Sequence, residues 1–255
     1  WVAYDGRRWD DLSAKTVIAR HAIDTIEAAA EHEAPLYSDV ADEFDSKGEE
    51  KSSPRSRFFE WIGKSKFETR LKAMANVAQS DPRIAIKMGA FGGPADVLNC
   101  SNGVVSLRTG EVSEHDPALM LKGLVDIAYD PAAQAPLFKA FLARVQPDPA
   151  MREYLQRVAG YSITGETSEQ AMFIHNGHGA NGKSVFLEII REVMADLGQK
   201  VHRDTLMSKG TQSGGIPSDV AGMLGARVLV ASETAAGKKL DDERIKELVG
   251  GDSQR

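Results

Sequence analysis

Apolar residues recur along this chain with two different periods, and the change of period divides it. Ala19, Ala22, Ile23, Ile26 and Ala30 fall three and four apart, which predicts an amphipathic helix from about Ser13 to Glu33. The polar run Ser46–Ser53, rich in Lys and Glu, reads as a solvated loop. Beyond it, Ser65-Lys66-Phe67-Glu68 has the Ser-x-x-Glu form of a capping box, so a helix is expected to start there. Phe67, Leu71, Met74 and Ala78 then share one face, and Asp81-Pro82 ends that helix. From Val97 the pattern shortens. Val97–Cys100, Val104–Leu107 and Glu111–Ser113 are strand candidates, with Asn102-Gly103 and Thr109-Gly110 between them to supply the positive φ of tight turns. Pro131 and Pro136 punctuate a boundary, after which Leu137–Val145 and Met151–Val158 read as helices. No internal repeat is visible.

Ala171–His175 is a short apolar run of strand length, and it leads directly into Gly177-His178-Gly179-Ala180-Asn181-Gly182-Lys183-Ser184. Phe186, Ile189, Ile190, Val193 and Met194 follow at helical spacing. Strand, glycine-rich loop and helix in that order are the context in which a Gly-x4-Gly-Lys-Ser match becomes a phosphate-binding P-loop. Glycines let the backbone turn tightly and bring its N–H groups close to phosphate oxygens. The positive end of the following helix points at the same anion. Lys183 is expected to reach the β- and γ-phosphates of ATP, and the Ser184 hydroxyl to ligate Mg²⁺. The expected nucleotide contacts are therefore Gly177, His178, Gly179, Ala180, Asn181, Gly182, Lys183, Ser184 and Val185. Further on, the apolar run Val228–Ala231 reads as a buried strand ending at Ser232-Glu233. From spacing alone, Glu233 is equally a surface residue or a functional carboxylate.

Composition narrows the field. Apolar residues make up 42% and charged residues 27%, as in an ordinary globular chain, and the 255 residues are enough for two domains. No apolar run approaches the roughly 20 residues a membrane span needs, and no signal peptide opens the chain at Trp1. The absence of an initiating Met suggests a piece of a longer polypeptide. The single cysteine, Cys100, excludes an internal disulfide and reads as a small apolar filler. The six histidines show no metal-ligand spacing. A net charge of −6 argues against DNA binding by the whole surface. Between Lys47 and Lys72, however, eight basic residues stand against four acidic ones, with Phe58, Phe59 and Trp61 among them. Arg55, Arg57 and Lys64 are candidates there for unpaired DNA, the aromatics offering stacking surfaces. The same stretch also reads as a helix with a core side and a solvated charged face.

Taken in order, several stretches resemble the C-terminal helicase region of the phage and plasmid primase family. That family is related to the poxvirus primase–helicase, within the superfamily III AAA+ helicases. The stretches are Leu98–Val105, Leu107–Gly110, His115–Pro117, Tyr129–Pro131, Tyr154–Arg157, Gly160-Tyr161, Gly179–Ser184, Gly225–Arg227 and Lys246–Asp252. The resemblance implies an α/β protein in two parts. Residues 1–130 would be a mainly helical collar-like domain with a β-meander at about 95–115. Residues 131–255 would be an incomplete AAA+ core, a mostly parallel sheet flanked by helices. It assigns Glu233 the base and part of the metal site, and places Lys246 near a DNA-gripping hairpin. It further implies a ring, typically a hexamer, that hydrolyses ATP to move on single-stranded or forked DNA. A primase domain would precede Trp1 in the same polypeptide, and the setting would be the cytoplasm of a bacterial host carrying a phage or mobile element. A different class stays open: an ATP-binding module that assembles or loads a replisome and hydrolyses little. A small-molecule P-loop kinase fits less well, because of the long N-terminal part.

Overall fold

Residues 1–37, 53–202, 205–207, 223, 225–231 and 240–250 are described by a computed structural model. They belong to two units, one of Trp1–Asp5 with Trp9–Met88 and one of Gly6–Arg8 with Gly89–Arg255.

In the first unit β1 (Ala3–Tyr4) pairs antiparallel with β2 (Trp9–Asp10), and the Tyr4 and Trp9 rings lie 5.8 Å apart. The Asp10 carboxylate accepts the N–H groups of Leu12 and Ser13, turning the chain into α1 (Ala14–Glu33). The predicted helix is there, and Ala22 and Ile26 form its buried stripe. α2 (Pro54–Ser65) starts where Ser53 Oγ accepts the Ser56 N–H at 3.1 Å and Pro54 occupies the first turn, where no N–H is needed. Phe58 and Ile62, four apart on α2, pack on Ile26, and Tyr37 stacks on Phe58 at 4.7 Å. Leu71 and Met74 of α3 (Glu68–Ala78) close the cluster.

The capping box at Ser65 does not form. Ser65 is the last residue of α2 and is buried, while Phe67 caps α3 without a side-chain hydrogen bond. Phe58, Ile62 and Ser65 lie on one helical face, so the core-facing stripe carries α2 through the position where the local motif called for a start.

In the second unit β3 (Val97–Cys100), β4 (Gly103–Ser106) and β5 (Val112–Ser113) form the expected antiparallel meander in the order β3-β4-β5. Cys100 pairs with Gly103, so the turn is Ser101-Asn102. Gly103 has a φ of 145°, and its reason is the neighbouring strand: a Cβ there would sit 2.4 Å from the Ser113 carbonyl oxygen. Asn102 makes both available bonds to the Tyr129 backbone, accepting its N–H and donating to its carbonyl, each at 2.9 Å.

α4 (Pro136–Val145) and α5 (Pro149–Ser162) match their predictions, with Asp148 capping α5 through the Ala150 N–H. α6 (Lys183–Val193) follows. β6 (Gly198–Val201), which the sequence pattern did not suggest, pairs parallel with β7 (Val228–Ala231), and α7 (Asp242–Val249) ends the described chain. The mixed helix-and-strand character and the mostly helical N-terminus are as expected. The parallel sheet has two strands among the described residues.

One core joins Cys100, Val105 and Val125 to Met194, Leu197 and Val228. The meander accordingly groups with the later residues in the second unit. Arg227 is a polar tie in the same unit. Its guanidinium donates to the carbonyls of Val97 at 2.6 Å, Ile163 at 3.1 Å and Pro94 at 3.3 Å. Among the described residues no helix is long and apolar enough to cross a membrane.

Candidate functional site

The glycine-rich loop is held between an extended segment and α6. Residues 171–175, expected as a strand, belong to no hydrogen-bonded ladder among the described residues. Their alternation is nonetheless that of a strand. Ile174 is 73% exposed and Met172 is also exposed, while the half-buried Phe173 meets Tyr161 edge-on and His175 lies 5.8 Å from the Phe186 ring. An apolar run of this kind signals a strand covered on both faces. Here one face is covered, and a cleft of about 310 Å³ has residues 171–173 and 175, Phe186 and Ile190 on its wall together with Val228–Ala231 of β7. Burial in this setting holds the His175 imidazole below its ordinary pKa.

The loop itself opens with Asn176 Oδ1 accepting the Gly177 N–H at 2.8 Å. Gly182, with a φ of 83°, immediately precedes α6 and sits against α4: a Cβ on it would lie 2.9 Å from Val145 Cγ1 and 3.1 Å from Phe141 Cζ. Ala180 also takes a left-handed conformation, with a φ of 59°. Behind the loop, α6 is anchored by buried Phe186, whose ring stacks on Phe138. The first N–H groups of any helix lack acceptors within it, so the start of α6 offers donors toward the loop. Ser184 and Val185 are exposed there.

Lys183 Nζ folds back over the loop. It donates to the Gly177 carbonyl at 2.9 Å, the His178 carbonyl at 3.2 Å and Asn181 Oδ1 at 2.8 Å. Asn181, expected among the nucleotide contacts, thus engages Lys183 through its side chain, a role whose available signal was an amide two residues before a lysine on a tight loop.

The other candidate residues stand on other elements or lie outside the described residues. Glu233 and the adjoining Ser232 are outside them, β7 being described to Ala231. Lys246 is exposed on α7, whose last turn closes with the Gly250 N–H donated to the Lys246 carbonyl at 2.7 Å. Gly251 and Asp252 are outside the described residues. Arg55, Arg57 and Lys64 stand on α2, in the first unit. The Arg55 guanidinium lies over the Phe59 ring at 5.9 Å, and Lys64 pairs with Glu60 one turn away. Phe58 is a core residue, while Phe59 and Trp61 are exposed. Lys47 and Lys51 are outside the described residues. Among the described residues no cluster of three or more His, Cys, Asp or Glu could hold a metal ion.

Residues 1–147, from β1 through α4 and including the whole meander, match the D5 N terminal like family. The chain belongs to that family. A D5 N terminal like match over this range ends before the Gly177–Ser184 loop. A relative from Acanthamoeba polyphaga mimivirus, named "Putative helicase L207/L206", is 30% identical over 113 residues. Those residues are 44% of this chain and 12% of the relative, so the chain spans a small part of that protein's length. Kinship with primase–helicases, expected from the sequence, is supported at the level of the family by the D5 N terminal like match over residues 1–147 and, more weakly, by the mimivirus relative.

Proposed function

We propose that the chain is part of a primase–helicase-type replication protein in which the Gly177–Ser184 loop binds ATP and its hydrolysis drives movement on single-stranded DNA. The observation that carries this reading is the loop's build: Gly177 and Gly182 packed where a Cβ would crowd a neighbour, the loop opening directly into α6, and Lys183 at the helix's first position. Family membership and the helicase name of the mimivirus relative support it. Backbone N–H groups of the loop and of the first turn of α6 receive the phosphates, and Lys183 leaves its loop acceptors for the β- and γ-phosphate oxygens. Ser184 offers its hydroxyl to Mg²⁺, which fits a cation that rests mainly on substrate phosphates and water, and which would offset phosphate charge. Glu233 orients the attacking water as general base and contributes to the Mg²⁺ site. Lys246 touches DNA, with Arg55, Arg57 and Lys64 as a second contact. Copies of the chain assemble as a ring, a hexamer, in a bacterial host's cytoplasm, with a primase domain in the same polypeptide.

Calorimetric titration with ATP and Mg²⁺, followed by a phosphate-release assay, tests the reading. Lys183→Ala is expected to lose both binding and turnover. Glu233→Gln is expected to bind ATP and hydrolyse it on the order of 100-fold more slowly. Unchanged affinity and turnover in Lys183→Ala would remove the assignment. Turnover that single-stranded DNA does not stimulate would favour a loading module over a motor.

A further inference from the structure

On the reading of Gly177–Ser184 as a phosphate site, we propose that Asn181 is a positioning residue for Lys183: its side-chain amide holds the ammonium folded onto the loop and sets how readily Lys183 is released to an incoming phosphate. An ammonium group has three donors and no acceptor. Lys183 uses them on three neighbours that all belong to its own loop, the Gly177 and His178 carbonyls and Asn181 Oδ1, and the Asn181 contact is the shortest at 2.8 Å. Two of these acceptors are backbone atoms that any sequence would supply. The third exists because residue 181 is an asparagine.

The loop is shaped to put that amide in place. A Cβ on Gly177 would lie 2.5 Å from Asn181 Nδ2 and 3.7 Å from Lys183 Nζ. A side chain at 177 would therefore displace Asn181 first and Lys183 with it. Gly177 thus has a second duty besides backbone approach: it leaves room for the amide that engages the lysine.

The residue type fits a holder that must also let go. A neutral amide oxygen satisfies the ammonium, yet it is a weaker acceptor than an ionised phosphate oxygen. Phosphate therefore displaces Asn181 at modest cost. A carboxylate at the same position would be a charged acceptor, as a phosphate oxygen is, and would hold the lysine more firmly. An alanine would leave the donor to water and lower the barrier to release.

The whole 255-residue chain provides the test, as parent, Asn181→Ala and Asn181→Asp, each first matched to the parent in melting temperature. Two measurements are made. Calorimetry reads the affinities for ADP with Mg²⁺ and for inorganic pyrophosphate. Acylation of Lys183 without ligand, followed on its tryptic peptide by mass spectrometry, reads how firmly the amine is held. Asn181→Ala is expected to acylate several-fold faster and to bind pyrophosphate about 3- to 10-fold tighter, the effect of one hydrogen bond. Asn181→Asp is expected to acylate more slowly and to bind both probes about tenfold or more weakly. Opposite signs from two substitutions at one exposed position are not produced by a damaged loop. If the parent binds both probes and the variants acylate and bind as it does, or both variants weaken binding with Lys183 acylation unchanged, the proposal falls. A parent that binds neither probe overturns the phosphate-site reading and this proposal with it.

Discussion

The two units hold themselves together by different means. The helical unit relies on an apolar cluster, Ile26, Phe58, Ile62 and Tyr37, with the pairs Arg20–Asp24, Lys64–Glu60 and Lys72–Glu68 one turn apart on its surface. The second unit adds to its own apolar core a set of polar side chains that reach backbone carbonyls elsewhere in the chain. Asn99, only 2% exposed, donates to the carbonyls of Arg7 and Gly123 and meets His115 Nδ1 at 3.0 Å, and Arg227 collects three more carbonyls. Apolar clusters tolerate change in proportion to volume, whereas a buried polar hub fails when one partner is lost. Damage to the two units should therefore differ in kind as well as in place.

The largest expected effect is in the helical unit. Phe58→Ala removes the ring at the centre of its cluster and should cost about 3–5 kcal/mol. Trp1, Trp9 and Trp61 all belong to this unit and are the chain's three tryptophans, so tryptophan fluorescence, excited selectively, follows it alone. The expected result is an earlier fluorescence transition with amide exchange of residues 97–106 unchanged. Equal losses in both would mean one cooperative structure and would end the comparison. Next comes Asn99→Ala, which leaves two carbonyls and His115 without their partner and should cost the second unit about 2–3 kcal/mol. Here the signs reverse: exchange of 97–106 accelerates and the tryptophan transition stays.

A smaller effect concerns acidity. Burial depresses the His175 pKa in the folded chain, so on acidification the unfolded chain takes up a proton first. Stability of the second unit should fall as pH drops from the ordinary histidine range toward the folded pKa, then level off. His175→Phe should flatten that part of the profile. An imidazole that titrates by NMR above its ordinary value would refute the assignment.

Legibility in the sequence followed the distance over which each signal acts. α1 and the loop at Gly177–Ser184 were readable because period and motif act over neighbouring residues. β6 was not, because Gly198–Val201 is a strand only by virtue of Val228–Ala231, some way along the chain. Asn99 and Arg227 stand within the family-like stretches Leu98–Val105 and Gly225–Arg227, but their bonding left no signature, since their acceptors are carbonyls that every residue carries. Ser65 shows two local signals in conflict, the capping motif losing to the buried face it shares with Phe58 and Ile62. At 171–175 apolarity was read as pairing, and the alternation is present without the ladder. Lys183 was assigned from its motif, but that its amine rests on the amide of Asn181 is a matter of loop geometry that no spacing encodes.

Cys100 gives the molecule a reporter of its own. It is the single thiol of the chain, 4% exposed in the core that the meander shares with Val228, and burial raises its pKa, so the reactive thiolate is disfavoured. Any reagent that reaches it has to wait for that core to part. The rate at which the thiol is modified is then a clock for breathing of the second unit, and the helical unit, which has no cysteine, is silent on it. Slowing of that clock by ADP or pyrophosphate would connect an event at Gly177–Ser184 to the meander through a residue the chain already carries.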